Sequence, residues 1–391
     1  MLTLRQILDD ESVRRCEFPV CTKKIFLAHA GVSPLPRVVA DAMHRYLEAA
    51  TYDDQEKVAD RDYVAESRQL AARLTGVNAE EIAFTGNTSM GLAMVAEGLP
   101  WQVGDNVVCY RDDYPANVYP WMNLARRGVE VRFVTPAVPG RITVTELEPV
   151  VDGRTRLVAL PSAHFLTGWR LDIAAISAFL RSRGVLFCLD AIQTLGALDT
   201  PLRYVDFAAA DAHKWLLGPV GVAVLYVRRE LQDLLRPALV GWNNAKCPGF
   251  ITREQLEFWP DARRYEPGTL MLAGIVGLHA ALEMILNLGP LAIEQRVLAL
   301  AARLGKRLTA GGWWLLGPDP REFPSGLTGL VTFHREGLDM IRLYERLRAE
   351  GVQLSLRQDR QGRHYLRASA HFYNTERELD KFAECLLGAL A

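Results

Sequence analysis

The feature that most constrains this chain is the stretch from Val185 to Gly221, which contains two apolar runs, one ending in a carboxylate and one in a lysine. The first run, VLFCLD, has the length and content of a strand buried on both faces of a parallel sheet. It ends at Asp190, and ligands of open α/β sheets bind at the carboxyl ends of strands. The second run leads into His213, Lys214 and Trp215. The stretch therefore predicts an α/β sheet with ionisable side chains at its ligand-binding edge.

Lys214 is unusual because apolar residues precede and follow it. Lysine normally keeps its ammonium group in water, and apolar surroundings disfavour the charged form. The neutral amine is a nucleophile that can form a Schiff base. A Schiff-base lysine and an aspartate beside a pyridinium nitrogen are the two protein groups that pyridoxal phosphate needs. Asp190 would keep that nitrogen protonated, and Gln193 would donate to the ring hydroxyl; a strand end followed by a helix-capping aspartate is the structural alternative.

The segments LDAIQ and, about twenty residues later, DAHKWLLGPVG resemble the class V aminotransferase family of fold-type I pyridoxal phosphate enzymes. That family includes cysteine desulfurases, selenocysteine lyases, kynureninases and isopenicillin-N epimerases. The resemblance extends from about Phe26 to Glu384. It implies an α/β fold with an N-terminal segment (residues 1–32) associated with the small domain, a large cofactor-binding domain with a mostly parallel sheet (33–262) and a small α+β C-terminal domain (263–391). It does not identify the reaction, because the family keeps the cofactor site and varies the chemistry.

A loop for the cofactor phosphate is predicted in TGNTSMG, after the first strand of the large domain. Thr88 and Ser89 would lie at a helix N-terminus, where free N–H groups and the helix dipole favour a phosphate, and the segment matches the family's phosphate loop. Capping of the helix by the same hydroxyl groups is the alternative. The resemblance assigns a further phosphate contact to His213. Asp211 stands where desulfurases carry a Ser, and its charge would repel a phosphate unless the side chain turned away.

The resemblance also implies contacts with the ring and the substrate. Tyr114 is expected to stack on the cofactor ring, although DDYPAN departs from the His-His-Ala-Asn of desulfurases and argues against their proton transfer. His29 and His164 are expected to line the substrate pocket, with a packed, hydrogen-bonded histidine as the alternative in both cases. Arg367, in LRASAHFYNT, matches the family's Arg-x-Ser motif, whose Arg binds the substrate α-carboxylate through a bidentate fork.

Partners and compartment are constrained by the same resemblance and by composition. RRYEPGT matches the family's Arg-x-x-Glu-x-Gly-Thr segment, in which the Gly-Thr pair reaches the phosphate of the neighbouring subunit's cofactor. Gly268 and Thr269 therefore imply a homodimer; a loop that caps the next helix is the alternative. With 45 basic and 46 acidic residues, nothing suggests a nucleic-acid or membrane surface. The absence of a signal peptide or long apolar run favours a cytoplasmic protein, and the six scattered cysteines lack metal-ligand spacing.

The sequence thus predicts a pyridoxal phosphate enzyme that acts on an α-amino acid, with Lys214 moving the Cα proton. Transamination, C–S lyase chemistry by Cβ elimination, and epimerisation all begin with that step. An aminotransferase or a C–S lyase is favoured. An epimerase or a desulfurase-like enzyme is the alternative. Persulfide-forming desulfurases need a nucleophilic Cys just before the Arg-x-Ser motif, and residues 352–366 contain none; Cys247 and Cys385 are the nearest thiols. From another class, a cofactor-binding protein without turnover or a nucleotide-binding α/β protein stays possible, although no G-x-G-x-x-G opens a βα unit.

Overall fold

The computed structural model describes residues 2–388, which form a large seven-stranded β-sheet, a small four-stranded β-sheet and a two-stranded pair, with helices packed against the two larger sheets. The strands are β1 (Ile25–Phe26), β2 (Ile82–Thr85), β3 (Asn106–Tyr110), β4 (Glu130–Val134), β5 (Thr155–Pro161), β6 (Leu186–Asp190), β7 (Phe207–Asp211), β8 (Ala223–Val227), β9 (Trp314–Leu315), β10 (Leu330–His334), β11 (Val352–Gln353), β12 (Ser355–Gln358) and β13 (His364–Ser369). The helices are α1 (Leu4–Asp9), α2 (Glu11–Glu17), α3 (Arg37–Ala49), α4 (Tyr63–Thr75), α5 (Thr88–Gly98), α6 (Tyr119–Met122), α7 (Val144–Leu147), α8 (Ile173–Ser182), α9 (Leu272–Leu288), α10 (Pro290–Ala310), α11 (Met340–Ala349) and α12 (Glu376–Gly388).

The large sheet has seven strands in the order β2-β8-β7-β6-β5-β3-β4. All neighbouring pairs from β4 to β7 are parallel, and β8 runs antiparallel to both of its neighbours. Every residue of β3, β7 and β8 is buried, because helices cover both faces of the sheet. The predicted α/β fold with a mostly parallel sheet is confirmed. Asp190, the last residue of β6, pairs with Ala209 of β7, so the two strands end side by side.

The small sheet has the order β12-β13-β10-β9, and all of its pairs are antiparallel. Apolar residues of α10, α11 and α12 pack on it and form a separate buried cluster. The N-terminal strand β1 pairs in parallel with β11, through Ile25 with Val352 and Phe26 with Gln353. The start of the chain therefore lies against the part that follows α11. The domain boundaries expected from the resemblance stay predictions.

At two places near the N-terminus the local sequence pattern and the structure differ, for identifiable reasons. The stretch from Thr3 to Phe18 has the pattern of one amphipathic helix, but it forms α1 and α2 because Asp10 is extended and its carboxylate accepts hydrogen bonds from the amides of Ser12 and Val13. Ser33 and Pro34 have the order of a helix start, yet α3 begins only at Arg37. The Ser33 hydroxyl is not free to cap a helix, because it donates to the carbonyl of Lys214.

At the other end of the chain, Thr375 and Glu378 form a capping box at the start of α12. The Glu378 carboxylate accepts from the Thr375 amide at 2.9 Å, and the Thr375 hydroxyl accepts from the Glu378 amide at 3.2 Å. Across residues 2–388 no single helix is both long and apolar enough to cross a membrane, although α9 and α10 together, bent by 83°, pass the same test of length and composition.

Candidate active site

A cavity of about 590 Å³ lies where the carboxyl ends of β6 and β7 face the small sheet. This volume is within the range of pockets that bind cofactors and small substrates. The lining includes eight of the residues predicted from the sequence: Thr88, Ser89, Tyr114, Asp190, Gln193, His213, Lys214 and Arg367. The fold thus collects side chains that are far apart in the chain into one space.

Lys214 follows β7 in a tight turn and is buried. Its carbonyl accepts from the Ser33 hydroxyl at 2.6 Å and from the Leu217 amide at 3.2 Å, which fixes the backbone of the turn. No carboxylate among the described residues lies within ion-pair distance of its Nζ atom. The same atom lies 5.5 Å from the centre of the Tyr114 ring. Burial, with repulsion from Arg367, lowers the pKa of Lys214 to about 8. At neutral pH a useful fraction of this amine is therefore unprotonated.

Asp190 ends β6 beside Lys214 and faces the same cavity. One carboxylate oxygen accepts from the Ile192 amide at 3.1 Å. Burial raises the pKa of Asp190 to about 6, and a cationic ring nitrogen at the other oxygen would lower it again. Gln193 lines the cavity too, but its amide is already engaged: Nε2 donates to the Ala30 carbonyl at 3.2 Å and Oε1 accepts from the Trp215 indole at 3.1 Å. One N–H of Gln193 is left for a ligand.

The N-terminus of α5 forms another end of the cavity. Asn87 caps this helix, because its side chain accepts from the Met90 amide at 2.8 Å. The hydroxyl groups of Thr88 and Ser89 are therefore not needed as caps, which removes the alternative given above. The Thr88 hydroxyl accepts from the amide of Asp211 at 2.9 Å and keeps its own proton to donate. Free hydroxyl and N–H groups at a helix N-terminus suit a phosphate.

Asp211 and His213 lie at this end as well, and both line the cavity. One buried oxygen of Asp211 has no hydrogen-bond partner within residues 2–388, and the other is 3.6 Å from Nδ1 of His213. Burial raises the pKa of Asp211 and lowers the pKa of His213 to about 4. Asp211 therefore faces the cavity, and the assignment of the phosphate contact to His213 rather than to Asp211 stays a prediction.

The opposite wall carries Arg367, in the middle of β13. Its side chain is buried; Nη1 donates to the carbonyl of Phe165, while Nε and Nη2 have no partner in the part of the chain that the structure describes. Two unpaired N–H groups on one planar guanidinium match the two oxygens of a carboxylate. Tyr114, half exposed, packs edge-on against Phe165, with ring centres 5.5 Å apart, and covers the space between Lys214 and this wall.

His29 and His164 do not line the cavity, which corrects the expectation for both. The ring of His29 is fully buried between the Ser369 carbonyl, at 2.8 Å, and the Tyr373 hydroxyl, at 2.7 Å. The ring of His164 lies between the Thr167 hydroxyl and the Asp112 carbonyl, both at 3.0 Å. Burial lowers the pKa of both rings, that of His164 to about 4. Each is the packed, hydrogen-bonded histidine that was the alternative.

Gly268 and Thr269 also lie outside this cavity. Thr269 is exposed and lines a separate groove of about 610 Å³ together with Arg68 and Trp242. The preceding Glu266 is held firmly, since its carboxylate pairs with Arg68 and accepts from the Phe84 amide at 2.8 Å. A role of Thr269 toward a second subunit stays a prediction.

The small-sheet side of the lining carries residues that were not predicted, among them Tyr344, Gln353 and Arg357. Arg357 lies on β12, whose sequence SLRQ gives no sign of facing a cavity. The alternation of side chains along a strand was the available signal, because Ser355 pairs with Arg367 and Arg357 must project from the same face. Using that signal requires the register of β12 on β13, which the sequence alone does not contain.

The cavity fits pyridoxal phosphate. It offers a buried amine without a counter-ion, a carboxylate beside that amine and a helix N-terminus with spare donors. The unpaired guanidinium of Arg367 faces them from the other wall. These groups match the aldehyde, the ring nitrogen and the phosphate of the cofactor and the carboxylate of an amino acid.

Comparison with known proteins gives a consistent result. The family model described as aminotransferase class-V matches residues 25–382. A probable cysteine desulfurase of Methanothermobacter thermautotrophicus is 28% identical over 96% of this chain and 97% of its own. A cysteine desulfurase of Thermococcus onnurineus has a TM-score of 0.86 at 24% identity, with 97% of this chain and 98% of that chain covered.

Two structures of C-DES, a cystine C–S lyase, are also similar to this chain. One, a variant with glycine covalently linked to its pyridoxal phosphate cofactor, has a TM-score of 0.87 at 23% identity and covers 95% of this chain and 98% of its own. The other, with the reaction product cysteine persulfide, has a TM-score of 0.85 at 24% identity and covers 94% and 98%. The match to the family model extends over nearly the whole chain, far beyond the segments around Asp190 and Lys214. The chain therefore belongs to the class V aminotransferase family, whose cofactor is pyridoxal phosphate.

Proposed function

We propose that this protein is a C–S lyase that cleaves S-substituted cysteines by elimination, without a persulfide on a protein cysteine. The observation that carries the proposal is the composition of the cavity: Lys214, Asp190 and Arg367 surround it, and no cysteine is among its lining residues within the part of the chain described. Relatives named cysteine desulfurase and cystine C–S lyase support chemistry at a C–S bond.

Each residue has a definite role in this proposal. Lys214 would hold the cofactor covalently through its amine, and when free, that amine would take the proton from the substrate Cα. Asp190 and Gln193 bind the ring, and Tyr114 covers it. Arg367 binds the substrate α-carboxylate. The phosphate is held at the N-terminus of α5 by residues that lie together at that end of the cavity: Thr88, Ser89 and His213.

The elimination breaks two bonds of the substrate, Cα–H and Cβ–S. Bound pyridoxal phosphate supplies an electron-withdrawing ring that stabilises the charge left at Cα after its proton is removed. The Cβ–S bond then breaks, and the sulfur leaves with the bonding electrons and takes up a proton to give a thiol. The remaining three-carbon fragment consumes one water and yields pyruvate and ammonia. No external oxidant or reductant is needed.

The thiols of this chain argue against a protein persulfide. The hairpin from β12 to β13, which precedes Arg367, contains no cysteine. Cys247 lies in an irregular segment, where its thiol is 3.1 Å from the carbonyl of Trp242, and Cys385 lies in α12. Persulfide transfer needs a thiolate that can attack the substrate sulfur. Neither cysteine lines the cavity.

A homodimer is part of the proposal, with Gly268 and Thr269 directed toward the cofactor phosphate of the partner. The rigid Arg68–Glu266 pair beside an exposed Thr269 supports this, because it holds the segment in place at the surface. Light scattering should give twice the mass of the chain. Thr269→Val should weaken cofactor binding, as measured by cofactor absorbance on titration; a monomer with tightly bound cofactor would contradict the arrangement.

The reaction is tested by incubating the holoenzyme with cysteine, cystine and S-alkyl cysteines, without reductant. Pyruvate, ammonia and the sulfur product should appear in equal amounts, without dependence on an added keto acid. That sulfur product is sulfide from cysteine, cysteine persulfide from cystine and a thiol from S-alkyl cysteines. Protein mass spectrometry should find no persulfide, and Cys247→Ser should be as active as the unmodified chain. A stoichiometric persulfide on Cys247, amino transfer to the keto acid, or racemised substrate as the main product would overturn the proposal.

A further inference from the structure

A second guanidinium group, that of Arg357, shares the cavity wall with Arg367. In the β12–β13 ladder Ser355 lies opposite Arg367, so Arg357, two residues further on, projects from the same face as a diagonal neighbour, about 7 to 8 Å away. Its Nη2 atom lies 3.6 Å from the position that a Cβ atom on Gly31 would occupy. Gly31 lines the cavity too, so the guanidinium group lies against the cavity wall.

Arg357 is not neutralised inside the protein. Among residues 2–388 no carboxylate lies within 4 Å of it, and its side chain donates only to the Leu356 carbonyl, at 3.1 Å. The neighbouring Arg360 of the same hairpin pairs with Asp112, and the buried Arg68 pairs with Glu266. A half-buried guanidinium without a counter-ion costs free energy, which an anionic ligand would recover.

The groups of the cofactor and of a simple amino acid do not need Arg357. In the proposed function, the ring nitrogen is paired with Asp190 and the α-carboxylate with Arg367, and the phosphate is held at the far end of the cavity, at α5. Arg357 is therefore free to bind an anionic group other than the α-carboxylate and the phosphate. Tyr344 and Gln353 line the same side, with Gln353 Nε2 3.3 Å from the Tyr344 hydroxyl, and both can donate hydrogen bonds to an anion.

We propose that Arg357 binds a carboxylate on the side chain of the substrate, so that the substrate class is an S-substituted cysteine with a second carboxylate beyond the sulfur. The proposal rests on the proposed function and names its substrate. Arginine suits this role because its planar fork donates two parallel hydrogen bonds, one to each carboxylate oxygen. Two guanidinium groups on one face, one for each carboxylate, would also fix the direction in which the substrate enters.

The first experiment compares S-(2-carboxyethyl)cysteine with S-(2-carbamoylethyl)cysteine, which differ only in a carboxylate and an amide of nearly equal size. The holoenzyme should prefer the carboxylate by roughly 10- to 100-fold in kcat/KM, the range for a hydrogen bond to a charged group. Arg357→Gln should remove that preference while kcat/KM for the amide changes little. Arg363→Gln, on the same hairpin but exposed, is the matched control and should keep it.

Two results would overturn the proposal. One is equal kcat/KM for the two substrates in the unmodified enzyme, which needs no variant to observe. The other is an Arg357→Gln protein that loses activity on both substrates equally and binds pyridoxal phosphate more weakly, because Arg357 would then serve the cofactor.

A binding measurement separates this inference from the proposed reaction. Calorimetry with glutarate and glutaramate, neither of which can react, should show the same preference for the second carboxylate and the same loss in Arg357→Gln. If no S-substituted cysteine is cleaved but glutarate is preferred, the reaction is wrong and the second anion site stands. If cleavage occurs and glutarate has no advantage, the reaction stands and the site is wrong.

Discussion

The two sides of the cavity are built differently. One side, called the floor here, comprises Asp190 and the turn from Asp211 to Lys214, at the ends of parallel strands in the interior of the large sheet. The other, called the wall, comprises Arg357 and Arg367 on β12 and β13, and β12 is the edge strand of the small sheet. A buried interior strand tolerates few changes, whereas an edge strand is packed on fewer sides. We therefore expect the floor to determine the cofactor chemistry and the wall to determine which amino acid reacts.

The largest effect is expected on the floor. Lys214→Ala should lower turnover at least ~10³-fold, because it removes both the covalent attachment and the base, while the cofactor still binds without a covalent bond. Borohydride reduction followed by mass spectrometry should label the unmodified chain only. Lys246→Ala, at a partly exposed lysine paired with Glu257, is the control. Near-normal turnover in Lys214→Ala would contradict the assignment of the cofactor chemistry to the floor.

Asp190→Asn keeps the shape of the floor and removes its charge. Turnover should fall on the order of 10²-fold, because a preorganised charge no longer keeps the ring nitrogen protonated. The absorbance of the bound cofactor should change as well, which separates this effect from misfolding. Unchanged activity and spectrum would mean that Asp190 is only structural.

Arg367→Lys tests the wall. The bidentate fork is lost, so substrate affinity should fall by roughly tenfold or more while cofactor affinity stays within a few-fold. The unmodified enzyme should accordingly reject the decarboxylated amine of a good substrate. Cofactor binding that weakens as much as substrate binding would show that the wall also serves the cofactor.

The coupling between floor and wall can be measured through pH. Because the pKa of Lys214 is lowered to about 8, its neutral, reactive fraction should rise about tenfold between pH 7 and pH 9, with the midpoint near 8. The rate at which the cofactor-free protein binds pyridoxal phosphate covalently should follow this rise. Arg367 contributes to the low pKa by repulsion, so Arg367→Gln should move the midpoint to higher pH. A midpoint that does not move would mean that the wall leaves the floor unaffected.

The smallest effect is expected from the surface contact between Arg360 of the β12–β13 hairpin and Asp112 of the loop after β3. Both side chains are about half exposed, and exposed ion pairs contribute about 0 to 1 kcal/mol. Arg360→Gln should therefore change the free energy of unfolding by less than ~1 kcal/mol in a denaturant titration. A much larger loss would make this contact a main link between the two sides.

The floor could be predicted from the sequence, and much of the wall could not. Asp190 and Lys214 follow long apolar runs, so a local pattern places them at strand ends. Arg357 faces the cavity only through the register of β12 on β13, which depends on long-range pairing. The direction of His29 and His164 likewise depends on partners such as Tyr373, which belong to distant segments. The family resemblance indicates where His29 and His164 lie in the sequence. It does not contain the hydrogen bonds that direct their rings away from the cavity.

The pairing of β1 with β11 affects how the chain can fold during its synthesis. Ile25 and Leu27 emerge from the ribosome early, yet the residues that bury them, around Val352 and Gln353, are among the last to be made. The small sheet cannot close before then, and contacts of such long sequence separation form slowly. An apolar N-terminal segment therefore stays exposed through most of translation, and a chain that terminates before β11 would leave it uncovered permanently.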